Sequence, residues 1–405
     1  MASRERRPRL LHTAMHPAAD ATGRGYRIEG LNGASGDHLL LPEPVGPVLN
    51  WLDGRHTVDD LSRRFHQLTG QQVETALFEA LVDALARLHL IAWETGELEA
   101  DLGSVRLPRH ESCYLGYGPM LRSNLEALVT SVAQDESLHG QMTALLAPHI
   151  DLHRGKLGYA EAYGALGQHP AADLYVLLGT SHQATRSTFV GTPRTFRTPF
   201  GDLSVATDLL TALQNATGDE LLREQRLHDT EHSLEFQALF IAFNHARHGL
   251  PMPRILPLLC GSLYRWVVRG TRPATDPAFD RFIHTLGDQL DAWPGRVCVV
   301  GGVDLAHLGP QFGHDRGLDP LDRHGLRQRD LGTLRHVCDL DPEGFWDDVT
   351  VDKNARNICG LGPTYAMLHL IRSRVSGGRL LHYDQAVDAV GNVVSFGAAG
   401  FYRAT

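Results

Sequence analysis

Ten consecutive residues, Asp173-Leu-Tyr-Val-Leu-Leu-Gly-Thr-Ser-His182, limit what this chain can fold into more than any other stretch. An unbroken run of Leu and Val bounded by turn signals reads as a strand buried on both faces, and such a strand needs a sheet covered by helices above and below. The run stops at Gly179 and delivers two hydroxyls and an imidazole. In open α/β sheets ligands collect outside the carboxyl ends of the strands, so Thr180, Ser181 and His182 stand where a site would be built. Ala147-Pro-His149-Ile-Asp151-Leu-His153-Arg154-Gly155 lies about one helix upstream, and Asn357-Ile-Cys359-Gly360 lies far downstream. Each places one metal-binding side chain at a turn, and His149, His182 and Cys359 can converge on a single ion. Taken singly, each also has a plainer reading: His149 as a cap behind Pro148, and Cys359 as a small buried apolar residue.

From Cys113 onward helical and strand patterns alternate. Helical stripes run over 121–133, 206–214, 233–248, 280–291 and 365–375, and buried strands are expected at 174–179, 254–260, 296–303, 379–383 and 393–402. This predicts an α/β fold with a mostly parallel central sheet flanked by helices. Upstream, residues 1–25 lack periodicity and read as an arm. Residues 26–97 contain two short strand-like runs around the turn residues 32–36, then helical patterns and a closing strand at Ile91-Ala-Trp93. Thr57 followed by Asp60 is a capping signal, and Val73, Leu77, Leu81, Leu85 and Leu88 form one helical stripe. Residues 98–112 carry mixed charge without periodicity and read as a linker to the second domain, 113–405.

The formal net charge of −9 argues against a nucleic-acid binder, and Arg63, Arg64 and Arg87 are too scattered to track a groove. No apolar run reaches the roughly 20 residues of a spanning helix, and the start lacks a signal-peptide core, so a cytoplasmic location away from the membrane is expected. The five cysteines, Cys113, Cys260, Cys298, Cys338 and Cys359, include no Cys-x-x-Cys pair and read as reduced thiols.

Two further polar clusters lie on the expected rim of the sheet. Asp304 and His307, at an i, i+3 spacing suited to one helical turn, read as a general base and its orienting or substrate-binding carboxylate. Glu231-His232-Ser233-Leu-Glu235-Phe-Gln237 opens a helix with acids in its first turn. Glu231 and Glu235 at i, i+4 would repel unless a cation or a hydrogen-bond donor stood between them. With Ser181, residues Glu231, His232, Glu235 and Gln237 are candidates for substrate binding or for supporting the metal ligands.

These motifs, Ala-Pro-His149, Leu-Gly-Thr-Ser-His182, Glu-His232-Ser-Leu-Glu235-Phe-Gln237, Val-Asp304-Leu-Ala-His307 and Asn-Ile-Cys359-Gly, occur in the order and approximate spacing of the Memo family, called AmmeMemoRadiSam system protein B in bacteria. Phe196-Arg-Thr-Pro199-Phe-Gly-Asp-Leu resembles that family's loop after the second histidine. The resemblance covers about 113–404 and implies a fold similar to the class III, non-haem-iron extradiol dioxygenases, with His149, His182 and Cys359 as metal ligands and Asp304 and His307 nearby. Gln183 stands where the family often has a second histidine, Leu361 where an arginine follows Cys-Gly, and Gly302 and Val303 where serines precede the aspartate. The layout of 26–97 resembles the winged-helix, PqqD-like domains that recognise leader peptides in ribosomal-peptide modification; packing or dimerisation is the alternative role.

The expected function is that of a mononuclear iron-dependent oxidoreductase, an oxygenase acting on a small molecule or on a peptide, such as a ribosomal precursor peptide presented by residues 26–97. Fe(II) is the expected ion, and copper or zinc also fits the ligand types. The alternatives are a zinc-dependent hydrolase using the same residues and a non-catalytic metal- or peptide-binding scaffold.

Overall fold

The structure is a computed structural model that describes residues 7–403, apart from 11–14, 21–22, 30–37, 43–44, 50, 53–55, 88–90, 94–102, 133–139, 184 and 219–220. The chain divides into two compact units, Met1–Leu102 and Gly103–Thr405. Among the described residues no helix is long and apolar enough to cross a membrane.

In the first unit, strands Met15–Asp20, Gly23–Glu29 and His38–Pro42 form an antiparallel sheet in that order. Short helix Gly46–Leu49 and helices Val58–Thr69 and Thr75–Arg87 follow, and Ile91–Trp93 pairs antiparallel with Pro8–Leu10. Part of the stretch read as an arm, 1–25, is therefore strand. Pro8–Leu10 has its partner more than 80 residues on, about which local periodicity says nothing, whereas Met15–Asp20 forms a hairpin with the neighbouring Gly23–Glu29. The cap behaves as expected: Thr57 N–H donates to Asp60 at 2.9 Å, and Asp60 N–H donates back to the Thr57 hydroxyl at 3.2 Å. The helical stripe is rotated from the expected one. Phe78, Val82 and Leu85 are buried against Leu61 and Phe65, whereas Leu77 is 65% exposed. Leu88, the turn at 32–36 and the first part of the expected linker, 98–102, lie outside the described residues.

The second unit is mixed α/β. Its main sheet contains β1 (Gln141–Ala147), β2 (Leu174–Thr180), β3 (Phe189–Gly191), β4 (Arg254–Cys260), β5 (Val297–Gly302), β6 (His307–Leu308), β7 (Gly377–Val387) and β8 (Val393–Arg403). The strand order is β6-β8-β1-β5-β2-β4-β3, with β7 added against β8. β1, β5, β2 and β4 are mutually parallel, and antiparallel strands extend the sheet on both sides. All seven residues of β2 are buried, as its Leu and Val content requires of a central strand. β7 differs from expectation: only Tyr383 in it is buried, so it is an edge strand and not a core one. Residues 103–112 are no free linker either, because Val105–Arg106 pairs parallel with Thr195–Thr198 inside this unit.

Candidate metal centre

Three turns at the carboxyl ends of the parallel strands carry the candidate ligands. β1 ends at Ala147 and Pro148 turns the chain, so His149 meets the end of β5 with its N–H donating to Asp304 Oδ1 at 2.9 Å and its Nδ1 lying 2.9 Å from the Gly302 carbonyl. The Nε2 atom is left for another partner. β2 ends at Thr180; two residues on, His182 N–H donates to Glu231 Oε2 at 2.9 Å and its Nδ1 sits 3.0 Å from Glu231 Oε1. Cys359 arrives from the third side. Asn357 takes a left-handed φ of 50°, a conformation asparagine tolerates, and its amide donates to the His307 carbonyl at 3.2 Å. The turn brings Cys359 Sγ within 3.3 Å of His149 Nε2, just ahead of helix Leu361–Ile371. One ligand atom from each of His149, His182 and Cys359 lies within 4.8 Å of the others.

Two glycines permit this approach. A Cβ on Gly302 would fall 2.4 Å from the Ser233 carbonyl, and one on Gly179 would fall 2.5 Å from Leu234 Cδ2. Without side chains at the ends of β5 and β2, segment 231–237 lies directly on the sheet rim. Glu231 is thereby set beside His182, and Gln237 donates from Nε2 to the Pro148 carbonyl at 2.9 Å.

The electrostatics favour a thiolate among imidazoles. Burial disfavours charge on Cys359, yet His149 and His307 outweigh it and hold the thiol well below its ordinary range. Desolvation likewise opposes charge on His149, but Asp304 and Cys359 raise it to about 9. At His182 desolvation is outweighed by Glu231 and Cys359, and the imidazole is held well above its usual range. The thiolate is the form that binds metal, and a ring nitrogen anchored to a carbonyl or carboxylate is the usual support for a metal-ligating histidine. The donor set therefore fits a single metal ion. A second group, His182, Glu231 and His232, also lies within 4.8 Å. Its carboxylate is occupied, since it accepts from His182 N–H, His182 Nδ1 and, at 2.9 Å, Ser233 N–H. Glu231 thus orients a ligand.

The remaining expected residues divide by position. Asp304 and His307 line a cavity of about 510 Å³ that opens over the candidate ligands, together with His232. Asp304 and His307 do not share a helical turn. Ser395 receives the Leu305 N–H on its carbonyl at 2.8 Å and the Ala306 N–H on its hydroxyl at 2.9 Å, which draws 304–307 into an extended path ending in β6. His307 Nδ1 lies 3.1 Å from the Leu305 carbonyl. The helix expected from Ser233 begins at Glu235, so Glu231 precedes it, and the anticipated repulsion is resolved by separate partners. Glu231 takes His182, while Glu235 pairs with buried Arg106 at 2.6 Å. Glu235 and Gln237 are buried behind the cavity, and Ser181 donates to the Gln183 carbonyl at 2.8 Å. These three support the site from outside the cavity. The structure adds residues that the sequence did not single out: His110 and Cys113 from segment 103–115, and Phe236, Gln311 and Phe312, all on the cavity wall. Of the departures noted above, Leu361 is buried in the core and Gln183 donates to the Thr230 hydroxyl at 2.8 Å.

A model of the Memo-like protein family matches residues 112–400. A MEMO1 family protein of Aquifex aeolicus is 24% identical over 389 residues, covering 91% of this chain and 96% of the relative. That share exceeds what residues 103–405 alone can supply, so the likeness runs into the first unit. A MEMO1 family protein of Thermus thermophilus is 27% identical over 326 residues, 80% of this chain and 92% of its own length. The memo-1 homolog of Caenorhabditis elegans is 28% identical over 298 residues, 67% of this chain and 79% of the relative. With the motif order, the α/β sheet and the match over 112–400 in agreement, the chain belongs to the Memo-like protein family.

Proposed function

We propose that the protein is a mononuclear non-haem iron oxygenase whose ion is held by His149, His182 and Cys359. The observation that carries this reading is the convergence of those three donors within 4.8 Å, with His149 and His182 on the cavity wall. Ferrous iron held by two imidazoles and a thiolate would supply redox chemistry toward dioxygen. The chain's own residues do the rest. The Gly302 carbonyl and Glu231 fix which ring nitrogen each histidine presents, and Asp304 holds His149 in place through its backbone N–H. His307, with Nδ1 directed to the Leu305 carbonyl, keeps Nε2 for taking or returning a proton at a ligand in the cavity.

Metal analysis of anaerobically purified protein tests this reading. Wild type is expected to hold one iron per chain, and His182→Ala and Cys359→Ser to lose it. Zinc in wild type, with hydrolysis sustained under strict anaerobiosis, would replace the oxygenase with a zinc hydrolase. Equal metal content in all three proteins would remove the centre altogether.

Residues 26–97 are proposed to present a peptide substrate, in the manner of the PqqD-like domains they resemble. In the first unit's sheet, Met15–Asp20 and His38–Pro42 each have a single strand neighbour among the described residues, which supports capture of an extended segment by strand addition. Fluorescence anisotropy of the full chain with labelled precursor peptides encoded by neighbouring genes is expected to show saturable binding; no binding to any of them withdraws this role.

A further inference from the structure

Segment 103–115 carries an unusual concentration of contacts onto one carboxylate. Glu235 accepts the backbone N–H groups of Arg109 at 3.1 Å and of His110 at 2.8 Å, and the Tyr114 hydroxyl at 2.9 Å. It also pairs with Arg106 at 2.6 Å, both side chains being almost fully buried. Arg106 in turn donates to the carbonyls of His228 at 3.0 Å and Glu231 at 2.9 Å, so the segment is locked to the stretch that supplies Glu231 to His182. The side chain this arrangement delivers to the cavity is His110. Its Nδ1 lies 3.2 Å from Glu235 Oε2, which leaves Nε2 as the free ring nitrogen. His232 separates it from the candidate ligands: the His110 and His232 rings are 5.4 Å apart, and the His232 and His182 rings 4.7 Å apart. His110 is therefore one ring beyond the metal ligands and suited to contact what binds in the cavity.

We propose that His110 is a catalytic acid–base residue of this cavity, oriented by Glu235 as its positioning residue, and that the ligand it serves carries an ionisable hydroxyl or comparably acidic hydrogen. The inference rests on the reading of the cavity as a substrate site. With Nδ1–H donated to Glu235, Nε2 takes the ligand's proton, the ligand keeps the electron pair, and the resulting imidazolium is balanced by the Glu235 carboxylate until the proton is returned. The charged or titratable groups in contact with His110 or with Glu235 are Arg106, Tyr114 and His232, and Cys113, Asp151, His153 and Arg154 share the cavity wall with them. Arg106 is committed to Glu235 and to backbone carbonyls. His232 Nδ1 lies 3.4 Å from Glu231 Oε1, but the hydrogen bonds of Glu231 go to His182 and Ser233, whereas Glu235 lies within 3.2 Å of His110 Nδ1.

The probe is 4-nitrophenol, whose ionisation is visible by absorbance, titrated into the full chain below the probe's own pKa, metal-loaded and metal-free. Wild type is expected to bind it as the phenolate in both forms. His110→Gln should retain its metal and its circular dichroism but lose about tenfold of the bound phenolate signal, the equivalent of one pKa unit. Glu235→Gln, if folded, should shift phenolate formation to higher pH, because the imidazolium loses its counter-charge. A phenolate signal unchanged in His110→Gln, or no ionisation of the probe by wild type, overturns the proposal. A phenolate seen only with metal assigns the proton transfer to the centre and overturns it equally. Metal content, read in parallel, reports separately on the metal-centre reading.

Discussion

Glu231 shows how much of this site depends on residues that hold ligands. Its two oxygens accept the backbone N–H and ring Nδ1 of His182 and the N–H of Ser233, and burial is outweighed by His182 and His232 so that it stays ionised. Replacing Glu231 with Gln keeps the shape but weakens the grip on the ring, and is expected to lower metal affinity by roughly 10–100-fold, as outer partners of metal ligands do. Competition with a chromophoric chelator measures it, and affinity equal to wild type would mean that His182 needs no such support. At this scale the sequence was informative wherever a side chain follows a buried strand. His149, His182, Asp304 and His307 could be named because apolar runs mark strand ends, Cys359 because a glycine-rich turn follows it, and Glu231 because it opens a helical pattern with acids. His110 could not, since its partner Glu235 is 125 residues away and the surrounding Arg-Leu-Pro-Arg-His carries no period.

Among the elements, strands β2, β4, β5 and β8 were legible as apolar runs. Helix Pro320–Cys338 was not, and the reason is physical: the face it buries includes Asp330 and Thr333 beside Leu326, Leu334 and Val337, so it has no apolar stripe. Asp330 is fully buried and accepts from Arg356 at 2.8 Å, Tyr383 at 3.0 Å and Ser395 at 2.6 Å. Ser395 holds Leu305 and Ala306, and the Arg356 carbonyl accepts His307 N–H at 2.8 Å, so the network braces the path from Asp304 to His307. Arg356→Met leaves Asp330 without its cation and is expected to cost about 3–5 kcal/mol; a urea midpoint equal to wild type would contradict this. Segment 103–115 makes a second prediction, in pH. Burial opposes its charge, but His110 and Arg106 hold Glu235 at about 2. A carboxyl so lowered gives stability that is complete above its unfolded value and is lost as pH falls through the folded one. Between about pH 5 and about pH 2 wild type should therefore lose stability on the order of 3 kcal/mol more than Glu235→Gln, measured from denaturant midpoints. Equal slopes would show that Glu235 is not ionised in the fold.

For the molecule as a whole, every residue of the proposed centre lies in Gly103–Thr405. Residues 103–405 expressed alone are expected to bind metal with the stoichiometry of the full chain, by elemental analysis after gel filtration. Loss of metal from that fragment would give the first unit a part in the site. The most direct test of the central claim, that two imidazoles and one thiolate from three distant turns share one ion, is titration of the metal-free full chain with Co(II). A sulfur-to-cobalt charge-transfer band is expected to saturate at one equivalent in wild type and to be absent from Cys359→Ser. Cobalt binding without that band, or the same band in Cys359→Ser, would contradict the claim.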